Sequence, residues 1–211
     1  DRGDRGPDGE PHDQGLVVNV APRRGSGAEV ESVFPTGSPS AGLVEFLSRL
    51  RHREKPRLYD VGPAPGGNIV FFAGKGLRVY VDADRDHRLA GSAPDLEPLG
   101  EREFEAALLW DLIDFLPKDR AEAFIASLAR AMKPGGMVYL LSSTIRLEGP
   151  GAVHTYFVQP DSRISTRPVE GALASRIRRE NREIITLFPQ FENVSLHLLR
   201  SGMREILLKR R

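Results

Sequence analysis

The residues whose types and spacing suggest chemistry are Asp60-Val-Gly62-Pro63-Ala64-Pro-Gly66-Gly67-Asn68 and, 22 residues beyond Asp60, Asp82. Glycines at 62, 66 and 67 let the main chain turn tightly and leave room for a ligand to approach it. Pro63 and Pro65 have no N–H, so the donors on offer are the amides of Ala64, Gly66, Gly67 and Asn68. A strand that ends in such a turn and opens a helix holds nucleotide-like ligands at the helix N-terminus. An acid closing the next strand can accept two hydrogen bonds from the hydroxyls of a ribose. Asp82 stands there, followed by Ala83 and by Asp84, which takes the role if the strand runs longer. The bland alternative is an ordinary βα turn with a solvated acid after it.

Two ligand classes use a turn of this kind. The dinucleotide pattern G-x-G-x-x-G is met by Gly62 to Gly67 with Ala64 in the second place. The pattern acid-x-G-x-G-x-G is met by Asp60 to Gly66, again with Ala64 for the middle glycine. On these residues the sequence resembles the class I methyltransferases that use S-adenosylmethionine. Asp60 discriminates, because the dinucleotide turn usually carries an apolar residue there. The resemblance implies that Asp60 meets the cationic amino end of the methionine moiety. It also implies that Gly62, Pro63, Ala64, Gly66 and Asn68 line that moiety, and that Asp82 and Ala83 hold the ribose. Trp110 and Asp111 are expected at the pocket mouth, beyond the carboxyl end of a strand.

The elements that must position these residues alternate between strand and helix, which predicts a doubly wound, mostly parallel Rossmann-like α/β sheet. A helix capped by Ser38, with Pro39 at its first position, is predicted to carry a stripe of Leu43, Phe46, Leu47 and Leu50. Strands are predicted at Arg57–Val61, Leu77–Val81, Phe104–Trp110 and Met137–Leu141, with a short helix over Ile69–Ala73. Asp119 to Glu122 reads as a capping box opening a further helix, which Lys133-Pro-Gly-Gly136 is expected to stop. The helix, this turn and the strand after it extend the resemblance to about Ser143.

The stretch from 83 to 103 is too short for the helix and strand that the resemblance implies, so the third strand is expected to be very short or missing. Asp95 is a candidate for the adenine-contacting acid. Ser142 to Pro168 reads as irregular and holds His154, a general base or simply a solvated histidine. The cluster Arg176, Arg178, Arg179 and Arg182 reads as an anion site or, more plainly, a solvated basic face. Ser195–Arg200 and Met203–Lys209 predict a C-terminal antiparallel hairpin around Ser201-Gly202.

Composition sets the outer limits. The first 40 residues hold seven glycines and five prolines, so 1–38 is read as a loose tail and 39–211 as one domain. A net charge of +1 argues against a dedicated nucleic-acid surface. No cysteine is present, which excludes disulfides, thiolate metal sites and a cysteine nucleophile and is compatible with the cytoplasm. No apolar run is long enough to span a membrane. The leading expectation is an S-adenosylmethionine-dependent methyltransferase acting on a small molecule. A catalytically silent module that binds the same cofactor and an NAD(P)-dependent oxidoreductase are the alternatives.

Overall fold

The computed structural model describes residues 37–82, 103–145 and 149–211. The expected tail falls outside these residues up to position 36, as do Ala83, Asp84, Asp95 and nearly all of the stretch expected to replace a third strand.

Among the described residues, nine strands and four helices follow in order: β1 (Ser38–Pro39), α1 (Ala41–Leu50), β2 (Arg57–Asp60), α2 (Gly66–Gly74), β3 (Arg78–Val81), β4 (Phe104–Trp110), α3 (Lys118–Ala131), β5 (Met132–Ser143), β6 (Gly151–Val158), β7 (Arg163–Ala174), α4 (Asn181–Leu187), β8 (Phe191–Leu198) and β9 (Met203–Arg210). A short 3-10 turn, Leu112–Phe115, joins β4 to α3. Six strands form the main sheet in the order β3-β2-β4-β5-β9-β8. Its first four are parallel, and β9 and β8 add antiparallel at the end, as the sequence predicts.

The central strands are buried on both faces, and their side chains alternate between two cores. Leu58, Leu108, Trp110, Tyr139 and Leu141 face α1 and α2, where they meet Leu43, Phe46, Leu50 and Phe72. Tyr59, Leu109, Val138 and Leu140 face α3 and α4, where they meet Ile125, Leu128, Ile184 and Leu187. Each fully buried Leu or Phe contributes about 1.5–3 kcal/mol of hydrophobic stabilisation. The predicted stripe of α1 is therefore the seam of one core.

Four local expectations are corrected. Ser38 and Pro39 do not open α1: they pair with β7, and Ser40 is the cap, its hydroxyl accepting from the Leu43 amide at 3.0 Å. Pro117 precedes α3 without a side-chain cap, so the box at Asp119 to Glu122 does not form. Lys133 to Gly136 lies inside β5 rather than before it. The helix has already ended at Ala131, and pairing with β4 jumps from Phe104–Met132 to Ala106–Met137, so these four residues form an irregularity in the ladder. The stretch read as irregular holds the antiparallel hairpin β6–β7, which joins β1 in a separate three-stranded sheet. Its alternation is legible: His154, Tyr156 and Val158 are buried while Thr155 and Phe157 are less so.

The carboxylate of Glu205, on β9, is buried at the start of α1. It accepts from the Gly42 amide at 2.8 Å, from the Tyr139 hydroxyl at 2.7 Å and from the Ser40 hydroxyl. An acid suits the positive end of a helix, and here it ties α1 to the middle of the sheet. Glu205→Ala would remove the acceptor shared by three buried donors, leaving the Gly42 amide unpaired and the Ser40 and Tyr139 hydroxyls only each other. It is expected to cost about 3–5 kcal/mol in urea denaturation, whereas Glu205→Gln, which keeps one acceptor oxygen, should cost less.

Candidate functional site

Asp60, Gly62, Asp82, Trp110 and Asp111 come together at the carboxyl ends of β2, β3 and β4. The chain order reverses here: β3 extends from β2 to one side and β4 to the other. In open α/β sheets such a reversal is where ligands bind. The Asp82 amide donates to the Asp60 carbonyl at 2.8 Å, which sets the two acids side by side, and both are buried.

The turn is built as its sequence suggests. One oxygen of Asp60 accepts from the Gly62 amide at 3.0 Å, so the acid shapes its own turn. Pro63 and Ala64 are half-buried, and Gly66 and Gly67 are exposed at the rim, with no atom near where a Cβ would stand. Asn68 corrects the expectation of a free donor. Its amide bonds to the Pro65 carbonyl at 2.8 Å. Its buried side chain holds the β6–β7 hairpin: Nδ2 donates to the Tyr156 carbonyl at 2.9 Å, and Oδ1 accepts from the Val158 amide at 2.8 Å.

Trp110 and Asp111 are also corrected, since neither lies at an open mouth. Trp110 is 1 % exposed and Asp111 fully buried. The pairing of β4 with β5 slips between Leu108 and Trp110, and Trp110 adopts a φ of +44°. Such a backbone is strained for a bulky residue, at about 1–3 kcal/mol. It turns the indole over the turn. Trp110 Nε1 donates to the same Asp60 oxygen at 2.7 Å. A Cβ added at Gly62 would lie 2.2 Å from Trp110 Cδ1. Gly62 is therefore required, but the space it leaves is filled by the indole. Tyr156 stacks on the other face of that ring, with centroids 5.2 Å apart and planes 8° from parallel.

Asp111 pairs with Arg176 at 2.7 Å, and both side chains are buried. Burial opposes the charge of Arg176, but Asp111, Tyr156 and Asp114 together outweigh it and raise the guanidinium further. Arg179 is also buried, donating to the carbonyls of Ile113 and Leu116. Arg178 faces solvent against Glu180 at 2.8 Å. The arginine cluster is thus not simply a solvated face, because two of its members are spent on interior partners. His154 is buried with no hydrogen bond at either ring nitrogen among the described residues. Burial pushes its pKa down, opposed by the Asp111 carboxylate. It is not the solvated loop histidine of the bland reading.

Tyr156 and Asp114 were not among the residues expected at the site, and Arg176 was expected only as part of an anion site. Asp114 accepts from the Ser143 amide at 2.7 Å and the Ser142 hydroxyl at 2.8 Å. Burial, reinforced by Asp111, pushes its pKa up to about 7 despite these bonds. Among the grooves formed by described residues, one is lined by Val44, Glu45, Ser48 and His197, one by Arg178, Arg179, Asn181 and Arg204, and one by Lys118, Arg182, Glu183 and Leu187; none of the three includes Asp60, Gly62 or Asp82.

No protein-family model and no curated protein matches the chain. Solved structures do. An S-adenosylmethionine-dependent methyltransferase from Methanosarcina mazei is 15 % identical with a TM-score of 0.52, over 82 % of this chain and 99 % of that one. Another from Mesorhizobium loti is 12 % identical with a TM-score of 0.51, over 81 % and 98 %. The fold is that of the S-adenosylmethionine-dependent methyltransferases. The glycopeptide N-methyltransferase MtfA, solved with S-adenosylmethionine, has it too: 16 % identity and a TM-score of 0.50, over 83 % of this chain and 96 % of that one. Within the methyltransferase fold, the antiparallel pair β8–β9 closes the sheet beyond β5, and the β6–β7 hairpin lies between β5 and α4.

Two measurements check this geometry. Gly62→Ala must displace the indole and is expected to lower stability by about 1–3 kcal/mol, read by chemical denaturation. Burial holds Asp114 above its ordinary 3.8, so between about pH 4 and 7 the folded chain binds more protons than the unfolded one. Its contribution to stability therefore falls as pH rises through that window. The depressed His154 acts in the opposite sense, losing stability as pH falls below 6.5. Asp114→Asn should remove the first slope only, so its stability relative to the parent rises from pH 4 to 7.

Proposed function

We propose that this chain binds S-adenosylmethionine and transfers its methyl group to a small-molecule acceptor. The observation that carries the reading is the pair of buried acids closing adjacent parallel strands at the order reversal, Asp60 before the glycine turn and Asp82 beside it. Asp82 suits the ribose hydroxyls, and Asp60 suits the ammonium of the amino-acid end. The fit is incomplete on the Asp60 side, where the Trp110 indole already takes one carboxylate oxygen and the space above Gly62. When bound, the sulfonium supplies an activated methyl on a good leaving group. The chain's own work is then to orient the acceptor and exclude water. A cytoplasmic setting, compatible with a cysteine-free chain, belongs to the same proposal. No described helix is long and apolar enough to cross a membrane.

The Trp110–Tyr156 stack favours a second reading, a module that keeps the fold without turnover. Thermal-shift and calorimetric titrations with S-adenosylhomocysteine, NAD and NADP separate the possibilities. The homocysteine derivative is expected to bind and the dinucleotides are not. Asp82→Ala should weaken that binding by roughly 1–3 kcal/mol, the cost of leaving polar partners unpaired. Binding of NAD or NADP alone would overturn the proposal, and binding without methyl transfer to any acceptor pool would select the silent module.

A further inference from the structure

We propose that the β6–β7 hairpin is a strap that shuts the cofactor crevice, with Trp110 as the plug and Asn68 as the latch. The inference rests on the cofactor reading above and adds a closed state to it. The hairpin belongs to the small sheet with β1 and makes no ladder with the main sheet. Its hold on the crevice consists of separable contacts. Both polar atoms of the Asn68 side chain bond to its backbone, at the Tyr156 carbonyl and the Val158 amide. The Tyr156 ring lies flat on the indole. Arg176, two residues past β7, reaches the buried Asp111.

Asn68 sits in the first turn of α2, the helix whose N-terminus the ligand must approach. The strap is therefore latched to the wall of the crevice it covers. The indole Cδ1 stands 2.2 Å from the Cβ point of Gly62, and the indole nitrogen takes one of the two Asp60 oxygens. Indole and amino-acid end thus exclude each other. A ligand that binds only the open form has its affinity reduced by the fraction of chains that are open. Releasing Asn68 enlarges that fraction.

Trp110 is the chain's single tryptophan, so its emission reports the plug alone. The experiment measures emission, acrylamide quenching and S-adenosylhomocysteine affinity for the full chain and for Asn68→Ala. Amide exchange at Val158 in the unmodified chain reads the latch should the variant not fold. Saturating ligand is expected to shift the emission to the red, raise quenching and speed Val158 exchange at least tenfold. Asn68→Ala is expected to be red-shifted without ligand and to bind at least fivefold tighter. Ligand binding with emission, exchange and Asn68→Ala affinity all unchanged would overturn the strap and leave the cofactor reading standing. An Asn68→Ala chain that is folded and red-shifted yet binds no ligand would overturn the cofactor reading, and the strap's role with it. A folded variant whose emission stays that of the parent would show that Asn68 is not the latch.

Discussion

The indole nitrogen of Trp110 and the carboxylate of Asp60 meet at 2.7 Å where the chain changes direction across the sheet. A buried carboxylate must be paired or hydrogen-bonded, and here its partners come from its own turn and from the neighbouring strand. That contact fixes the slip at the end of β4, the positive φ of Trp110 and the absence of a side chain at residue 62. It also presents a flat aromatic face to the hairpin, and Tyr156 packs on it. The turn, the end of β4 and the hairpin are thus arranged around one carboxylate oxygen.

The opposite end of the same core is organised by a second carboxylate. Glu205 binds the first turn of α1 and the hydroxyl of Tyr139, whose ring packs edge-on against Trp110 at 6.1 Å. The two acids are linked through aromatic rings rather than through charge. This explains how α1 covers the face on which the crevice opens without itself contributing a charged group to it.

Local pattern carried most of the fold. The runs Phe104–Trp110 and Met137–Leu141 are apolar enough to be recognised as strands covered on both faces, and the Ser201-Gly202 turn marks the final hairpin. The turn at Asp60 was legible for the same reason, since the acid and the glycine it bonds are two residues apart. The filling of that turn was not. Trp110 is 50 residues from Asp60 and Tyr156 is 46 beyond Trp110, so nothing in spacing reveals that they meet. The β6–β7 hairpin was obscured by Arg167, Pro168 and Gly171, which weaken the strand pattern in β7. Arg176 and Arg179 read as surface charge because their partners, a buried acid and two carbonyls, belong to the segment after β4.

Strand β1 is two residues long and pairs with β7 alone, through Ser38–Ile164 and Pro39–Arg163. The next residue, Ser40, is fastened to Glu205 and to the start of α1. The joint between Pro39 and Ser40 therefore connects a segment that rides on the hairpin to one anchored in the body. Any swing of the hairpin must either bend the backbone at that joint or peel a two-residue ladder apart. A force applied at β1 is consequently transmitted to the hairpin before it reaches the main sheet.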